Sequence, residues 1–198
     1  MKGKTLIVID PVKTELAALA DYHLQLRPGT NVALLNSMLY FIVEAGLVDQ
    51  SFIDERCEGY DDFLAEIKQL DVVAMSEIAG VELPLIKEAA IAYASAHNAM
   101  SFHGLGVTEH SQGSKTVMLI ANLAMITGNI GRLGVGVNPL RGQNNVQGAA
   151  DMGCQPHQGA GYFPMDEEQS QHYYTKKYGV PSPVTAGKKN PPMFDAAK

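Results

Sequence analysis

Arg141, Gln143, Asn144, Asn145, Gln147 and Asp151 fall in one run, "RGQNNVQGAAD", with almost no large apolar side chain among them. An arginine is a permanently charged, planar fork of donors suited to a carboxylate or phosphate. The four amides around it both donate and accept, and Gly142 and Gly148 leave the backbone free to curve around a ligand. The chemistry offered is recognition of a small anion. The same composition also suits a solvated connecting loop, so the flanking elements must decide between the two.

A second set of candidates lies where ligands of open parallel sheets bind, beyond the carboxyl ends of strands. "KTLIVID" reads as a buried strand ending in "DPVKT", residues Asp10, Pro11, Val12, Lys13 and Thr14. "YHLQL" reads as another, closed by "RPGTN" with Gly29, Thr30 and Asn31. "AMSFHG" is the third and delivers "HGLGVTE". Asp10 at a strand end suits a pair of ribose hydroxyls. Gly29 allows close backbone approach, and Thr30 and Asn31 offer hydrogen bonds near a helix start. Each loop alone is a plain turn; three together favour a nucleotide-like ligand.

The elements between them alternate. "VKTELAALAD" has helical spacing, and "VALLNSMLYFIVEAG" is a helix that Asn31 can cap and Gly46 ends. Asp49 to Leu70 predicts two short helices around Gly59, Ser76 and Glu77 a small turn. "ELPLIKEAAIAYASAH" and "SQGSKTVMLIANLAMITG" are further helices. Strand and helix in alternation define an α/β unit with a parallel sheet. From Gly128 glycine and proline dominate, and an irregular C-terminal segment with a mobile tail over "KKYGVPSPVTAGKKNPPMFDAAK" is expected. The expected division is residues 1–140 and 141–198. A first strand ending in Asp10-Pro11 is an unusual opening for a nucleotide fold, and suggests a piece of a larger protein.

Composition excludes several classes. The 198 residues carry a formal charge of −6, which argues against nucleic acid and anionic membrane as partners. No apolar run of about 18 residues is present to span a bilayer. The six histidines have no metal spacing, Cys57 and Cys154 form no CxxC pair, and no metal ligand is expected in this chain. His103 reads as a packed strand histidine, and Cys154 as an exposed thiol. Two isolated cysteines fit a reducing compartment, so the cytoplasm is the expected location, with the periplasm as the alternative.

"GKTLIVIDPVKTELAALADYHLQLRPGTNVALLNSM" and "HGLGVTEHSQGSKTVMLIANLAMITGNIGRLGVGVNPLRGQNNVQGAADMG" together resemble the large subunit of molybdopterin-dependent formate dehydrogenases over roughly the first 160 residues. "TGNIGRLGVGVNPLRGQNNVQGA" is more similar to formate dehydrogenase than to nitrate or dimethyl sulfoxide reductases. The resemblance implies a Rossmann-like parallel sheet flanked by helices within a larger molybdopterin oxidoreductase. It implies a bis-molybdopterin guanine dinucleotide cofactor with molybdenum or tungsten, and an iron–sulfur cluster held outside this stretch. Asp10 to Thr14 and Gly29 to Asn31 would line a guanine nucleotide. Leu105, Gly106 and Glu109 would border the pterin; the family usually has Met and Gln where Leu105 and Glu109 stand. Arg141 would orient formate beside Gln143. Ala150 stands where relatives often have Cys or Ser. The metal ligand would precede this stretch, so the fragment by itself would be inactive, with the rest of the catalytic subunit and electron-transfer subunits as partners. Half of an NAD-dependent dehydrogenase is a competing reading, opposed by the lack of a GxGxxG turn after a strand. A non-catalytic interaction domain is the other.

Overall fold

The computed structural model describes residues 3–187, and the chain divides into two compact units, one up to Leu140 and one from Arg141. In the first unit β1 (Ile7–Ile9) stops at Asp10-Pro11, because proline has no N–H to continue a ladder. α1 (Glu15–Ala18) starts at Thr14, whose Oγ1 accepts the Ala17 N–H at 3.1 Å. β2 (Tyr22–Leu24) then pairs parallel to β1, with Ile7 opposite Tyr22 and Ile9 opposite Leu24.

α2 (Asn31–Glu44) is the centre of the core. Leu34, Leu39 and Ile42 are fully buried, and Leu35, Met38 and Phe41 nearly so. α3 (Gln50–Arg56) and α4 (Tyr60–Lys68) follow, separated at Gly59. α5 (Val72–Ala79) is capped by Asp71, which accepts the Ala74 N–H at 3.0 Å, and it runs through Ser76 and Glu77, where the sequence predicts a turn. α6 (Leu83–Ser95) leads into β3 (Met100–His103). α7 (Leu105–Thr108) and α8 (Gly113–Ile126) form the crossover to β4 (Gly136–Pro139), parallel to β3. α4, α5, α6 and α8 all pack on α2. Burial of each large aliphatic side chain there contributes about 1.5–3 kcal/mol.

The parallel α/β class expected from the sequence is the one observed. Its strands form two pairs, β1–β2 and β3–β4, among the described residues. β4 carries no apolar run, since "GVNP" has one large apolar side chain and is a strand only because the crossover lays it against β3. α2 begins one residue earlier than Asn31-as-cap implies. Thr30 occupies the cap position, and neither side chain caps the helix.

The second unit holds two helices inside the stretch expected to be irregular: α9 (Val146–Asp151) and α10 (Glu168–Tyr178). α10 is anchored by aromatic rather than aliphatic spacing. Tyr174 is buried, Tyr173 stacks on Phe163 at 5.1 Å, and Tyr178 lies parallel to Tyr174 at 5.9 Å. The first part of the expected tail returns onto this helix, with the Ser182 N–H donating to Thr175 Oγ1 at 3.1 Å. The remainder of that tail lies outside the described residues.

One glycine ties two helices together. Gly128 follows α8 at φ +64°, and a Cβ there would lie 2.3 Å from Asp49 Oδ2. Asp49 Oδ1 accepts the Phe52 N–H at 3.0 Å and caps α3. Gly128→Ala should therefore lose about 2–3 kcal/mol in urea unfolding, from a left-handed alanine and a displaced cap. In an Asp49→Ala background the same change should cost about 1 kcal/mol less. Equal costs in both backgrounds would show that Asp49 need not move.

Candidate functional site

Because β1 and β2 are parallel, their following loops leave one edge together, and two hydrogen bonds join them. His23 Nε2 lies 3.0 Å from the Asp10 carbonyl, and Gln25 Nε2 donates to the Pro11 carbonyl at 3.0 Å. Asp10 Oδ1 accepts the Val12 N–H at 2.7 Å, which orients the carboxylate and leaves its other oxygen available. Lys13 is exposed beside it. Gly29 has φ +84°, and a Cβ there would meet nothing within 4 Å, so open space lies over the turn. The Thr30 hydroxyl donates to the Arg27 carbonyl at 2.7 Å and does not cap α2. The first turn of α2 contains no acidic residue either. Its leading N–H groups therefore present an uncompensated positive helix end. Arg27 fastens the loop to the end of α5, its Nη1 donating to the Glu77 carbonyl at 2.6 Å.

This donor set fits the polar parts of a nucleotide: a carboxylate for hydroxyls, and a helix N-terminus under an open glycine for phosphate. Ile9, Val12 and Leu16 are exposed around it and offer an apolar rim. Sequence reasoning missed His23 and Gln25. Their period-two spacing on a strand puts both side chains on one face, which was the available signal.

Leu105, Gly106 and Glu109 follow β3, in the other strand pair. Leu105 is exposed, a Cβ on Gly106 would meet nothing within 4 Å, and Glu109 is the C-cap of α7. No described hydrogen bond connects these residues with the loops after β1 and β2.

In the second unit Arg141 and Gln143 are exposed, and neither side chain has a partner among the described residues. The run they open turns into α9 at Asn145, which has φ +51°. On α9, Gln147 and Asp151 stand one turn apart and meet Tyr162. The Tyr162 hydroxyl donates to Asp151 Oδ1 at 2.5 Å, and Gln147 Nε2 donates to the same oxygen at 3.1 Å. Tyr162 has φ +66°, unusual for an aromatic residue, and this clasp holds it there. The hydrogen bond from Tyr162, then that from Gln147, lowers the Asp151 pKa, while the carboxylate raises that of Tyr162. Both cysteines are free, Cys154 exposed and Cys57 half-buried. Among the described residues no three His, Cys, Asp or Glu side chains converge as a metal site, and no helix is long and apolar enough to cross a membrane.

Paired parallel strands and crossover helices place the molecule among α/β proteins. The chain belongs to the molybdopterin oxidoreductase family, whose model matches residues 1–184. It is 46% identical over 165 residues to F420-dependent formate dehydrogenase 2 subunit alpha of Methanococcus maripaludis, covering 83% of this chain and 24% of the relative. It is 42% identical over 180 residues to formate dehydrogenase H of Escherichia coli, covering 91% and 25%. Among solved structures, acetylene hydratase from Pelobacter acetylenicus superposes with a TM-score of 0.62 at 28% identity, over 67% of this chain and 18% of that one. The chain thus spans about a quarter of the length of these formate dehydrogenases.

The clasp on α9 has a pH signature. A carboxyl with a lowered folded pKa contributes stability above its unfolded value, lost as pH falls through the folded one. A phenol with a raised folded pKa contributes below its unfolded value, lost as pH rises through the folded one. The clasp should therefore be intact from about pH 4 to about pH 10. In Tyr162→Phe, the Asp151 carboxyl followed by NMR titration should move up toward the ordinary aspartate value. An unchanged titration would mean that Tyr162 does not hold this carboxylate.

Proposed function

We propose that this chain is part of the catalytic subunit of a formate dehydrogenase, oxidising formate to carbon dioxide at a bis-molybdopterin guanine dinucleotide centre with molybdenum or tungsten. The observation that carries the reading is Arg141: an exposed guanidinium with no partner among the described residues, in a polar run, in a chain whose relatives are named formate dehydrogenases.

The roles follow from the chemistry of each group. Asp10, with Pro11 to Thr14 beside it, takes hydroxyls of a guanine nucleotide arm. Gly29, Thr30 and Asn31 bring its phosphate to the start of α2, where the helix N–H groups are uncapped. Leu105, Gly106 and Glu109 border the pterin. Bound there, the metal group supplies a two-electron acceptor, its ligand and the iron–sulfur cluster coming from outside this stretch. Formate must lose one proton and two electrons to become carbon dioxide. Arg141 donates from its fork to the two formate oxygens, neutralises the charge and fixes the direction of the C–H bond, and Gln143 supplies a further hydrogen bond. The same reading makes the rest of the catalytic subunit the partner of the apolar side chains left in solvent, such as Phe102 on β3 and Leu133. Electron-transfer subunits then remove the electrons, and the cytoplasm is the proposed location.

Thermal unfolding of this chain with GMP or GDP, against AMP and NAD, tests the nucleotide site. A ligand bound only by the folded state adds about 2.7 kcal/mol at a hundredfold excess over Kd. Guanine nucleotides alone should raise Tm, and Asp10→Asn should reduce the rise. A rise with NAD alone would overturn this reading in favour of a nicotinamide-dependent dehydrogenase. In the full-length enzyme Arg141→Lys should lower kcat/KM for formate about a hundredfold, because a bidentate fork becomes a point charge. Wild-type kcat/KM in that variant would remove Arg141 from the mechanism.

A further inference from the structure

Between α8 and β4 the chain runs irregularly, yet one buried side chain ties it down. Asn129 is 1% exposed. Its Oδ1 accepts the Ala99 N–H at 3.0 Å and Arg132 Nη2 at 3.2 Å. Its Nδ2 donates to Thr127 Oγ1 at 2.9 Å, and that hydroxyl donates to the Leu123 carbonyl at 2.6 Å. Arg132 completes the knot, with Nε donating to the Gly128 carbonyl at 3.2 Å and Nη1 to Asn98 Oδ1. A buried amide used on both of its ends is a strong specifier of local geometry.

What it specifies is the origin of β3 and the approach to β4. Ala99 immediately precedes β3, so the bond from its N–H to Asn129 fixes β3 against the end of α8. Arg132, bonded to Asn129 on one side and Asn98 on the other, clamps the connection that delivers Gly136 opposite Met100. The ladder continues to Pro139 opposite His103, and the Leu140 N–H closes it on the His103 carbonyl at 2.7 Å. The next residue is Arg141. A slip of β4 by one residue would shift its end by about 3.3 Å and turn the side chains of β4 to the opposite face.

The geometry points to Asn129 as a positioning residue that, with Arg132, sets the register of β4 on β3 and so the point from which Arg141 enters its run. This rests on the reading that Arg141 orients formate. A purely stabilising network would lower Tm and cofactor content and leave the remaining enzyme with its normal KM. A positioning network moves KM instead.

The test compares Arg132→Ala, whose side chain is exposed enough for the variant to fold, with Asn129→Leu and Asn129→Asp. In the full-length enzyme Arg132→Ala and Asn129→Leu should raise the KM for formate tenfold or more, about the scale of an ångström-sized misplacement. kcat per bound metal should fall as well, because the same arginine fixes the direction of the C–H bond. Asn129→Asp keeps acceptors for Ala99 and Arg132 and should restore KM. In the present chain the Leu140 amide should exchange faster in Arg132→Ala, with amides of α2 unchanged. Unaltered KM together with loss only of Tm or metal content would overturn the assignment. If the wild-type enzyme does not oxidise formate, the role of Arg141 falls first. The exchange experiment then decides alone, and a Leu140 amide still protected in Arg132→Ala refutes the network's role.

Discussion

The first unit depends on the burial of α2. Strands of three and four residues make too few ladder bonds to persist unaided. They are held because α2 places Leu34, Leu35, Met38, Leu39, Phe41 and Ile42 against α4, α5, α6 and α8, and α6 and α8 in turn support β2, β3 and β4. The same helix has a second duty at its N-terminus. Gly29 and Thr30 deliver the chain to α2 without a side-chain cap, so a helix at the centre of the core also carries an uncompensated end at the strand edge. If the proposed nucleotide site is there, core stability and ligand affinity are coupled through one element. A change that tilts α2 to fill a cavity would also re-aim its leading N–H groups.

What could be read in the sequence follows from how local each signal is. The apolar face of α2, the alanine-rich α6 and the apolar α8 are legible because 3.6-residue periodicity survives over 13 or 14 residues. β4 is illegible for the opposite reason: its pairing partner is more than 30 residues away, and Gly136, Asn138 and Pro139 carry no strand preference. α5 was hidden because its start depends on Asp71 as a cap and its polar Ser76 and Glu77 sit at its end, where they imitate a turn. α10 lacks aliphatic spacing altogether, and its anchor is a tyrosine packed on other aromatic rings. At the candidate site, residue types were legible and partnerships were not. Asp10 and Gly29 declare themselves by chemistry and strand-end position. The bonds from His23 and Gln25 exist only once β1 and β2 are in register.

The surface carries its own constraint. Leu19, Leu133 and Met152 are at least 70% exposed, and Phe102 stands out from β3. Single exposed apolar side chains are ordinary in a folded protein. Here they accompany a chain that matches about a quarter of its relatives' length. The proposed packing against the rest of a catalytic subunit gives these side chains a use that an isolated unit of this size does not.

Electrostatics bear on Arg141 most directly. The chain has 21 acidic residues against 15 basic ones, so a free guanidinium has no shortage of potential partners. An acidic partner would neutralise it and repel a carboxylate substrate, defeating the use proposed for it with formate. From Arg141 to Asp151 the run contains one acid, Asp151 itself, and that carboxylate is already engaged by Tyr162 and Gln147. Those donors are neutral, so they satisfy the acid's hydrogen-bonding capacity without spending a cation on it. The clasp on α9 therefore does more than hold Tyr162 in a left-handed backbone. It occupies the acid of the run with neutral groups, while Arg141 has no partner among the described residues, as its proposed use for an anion requires.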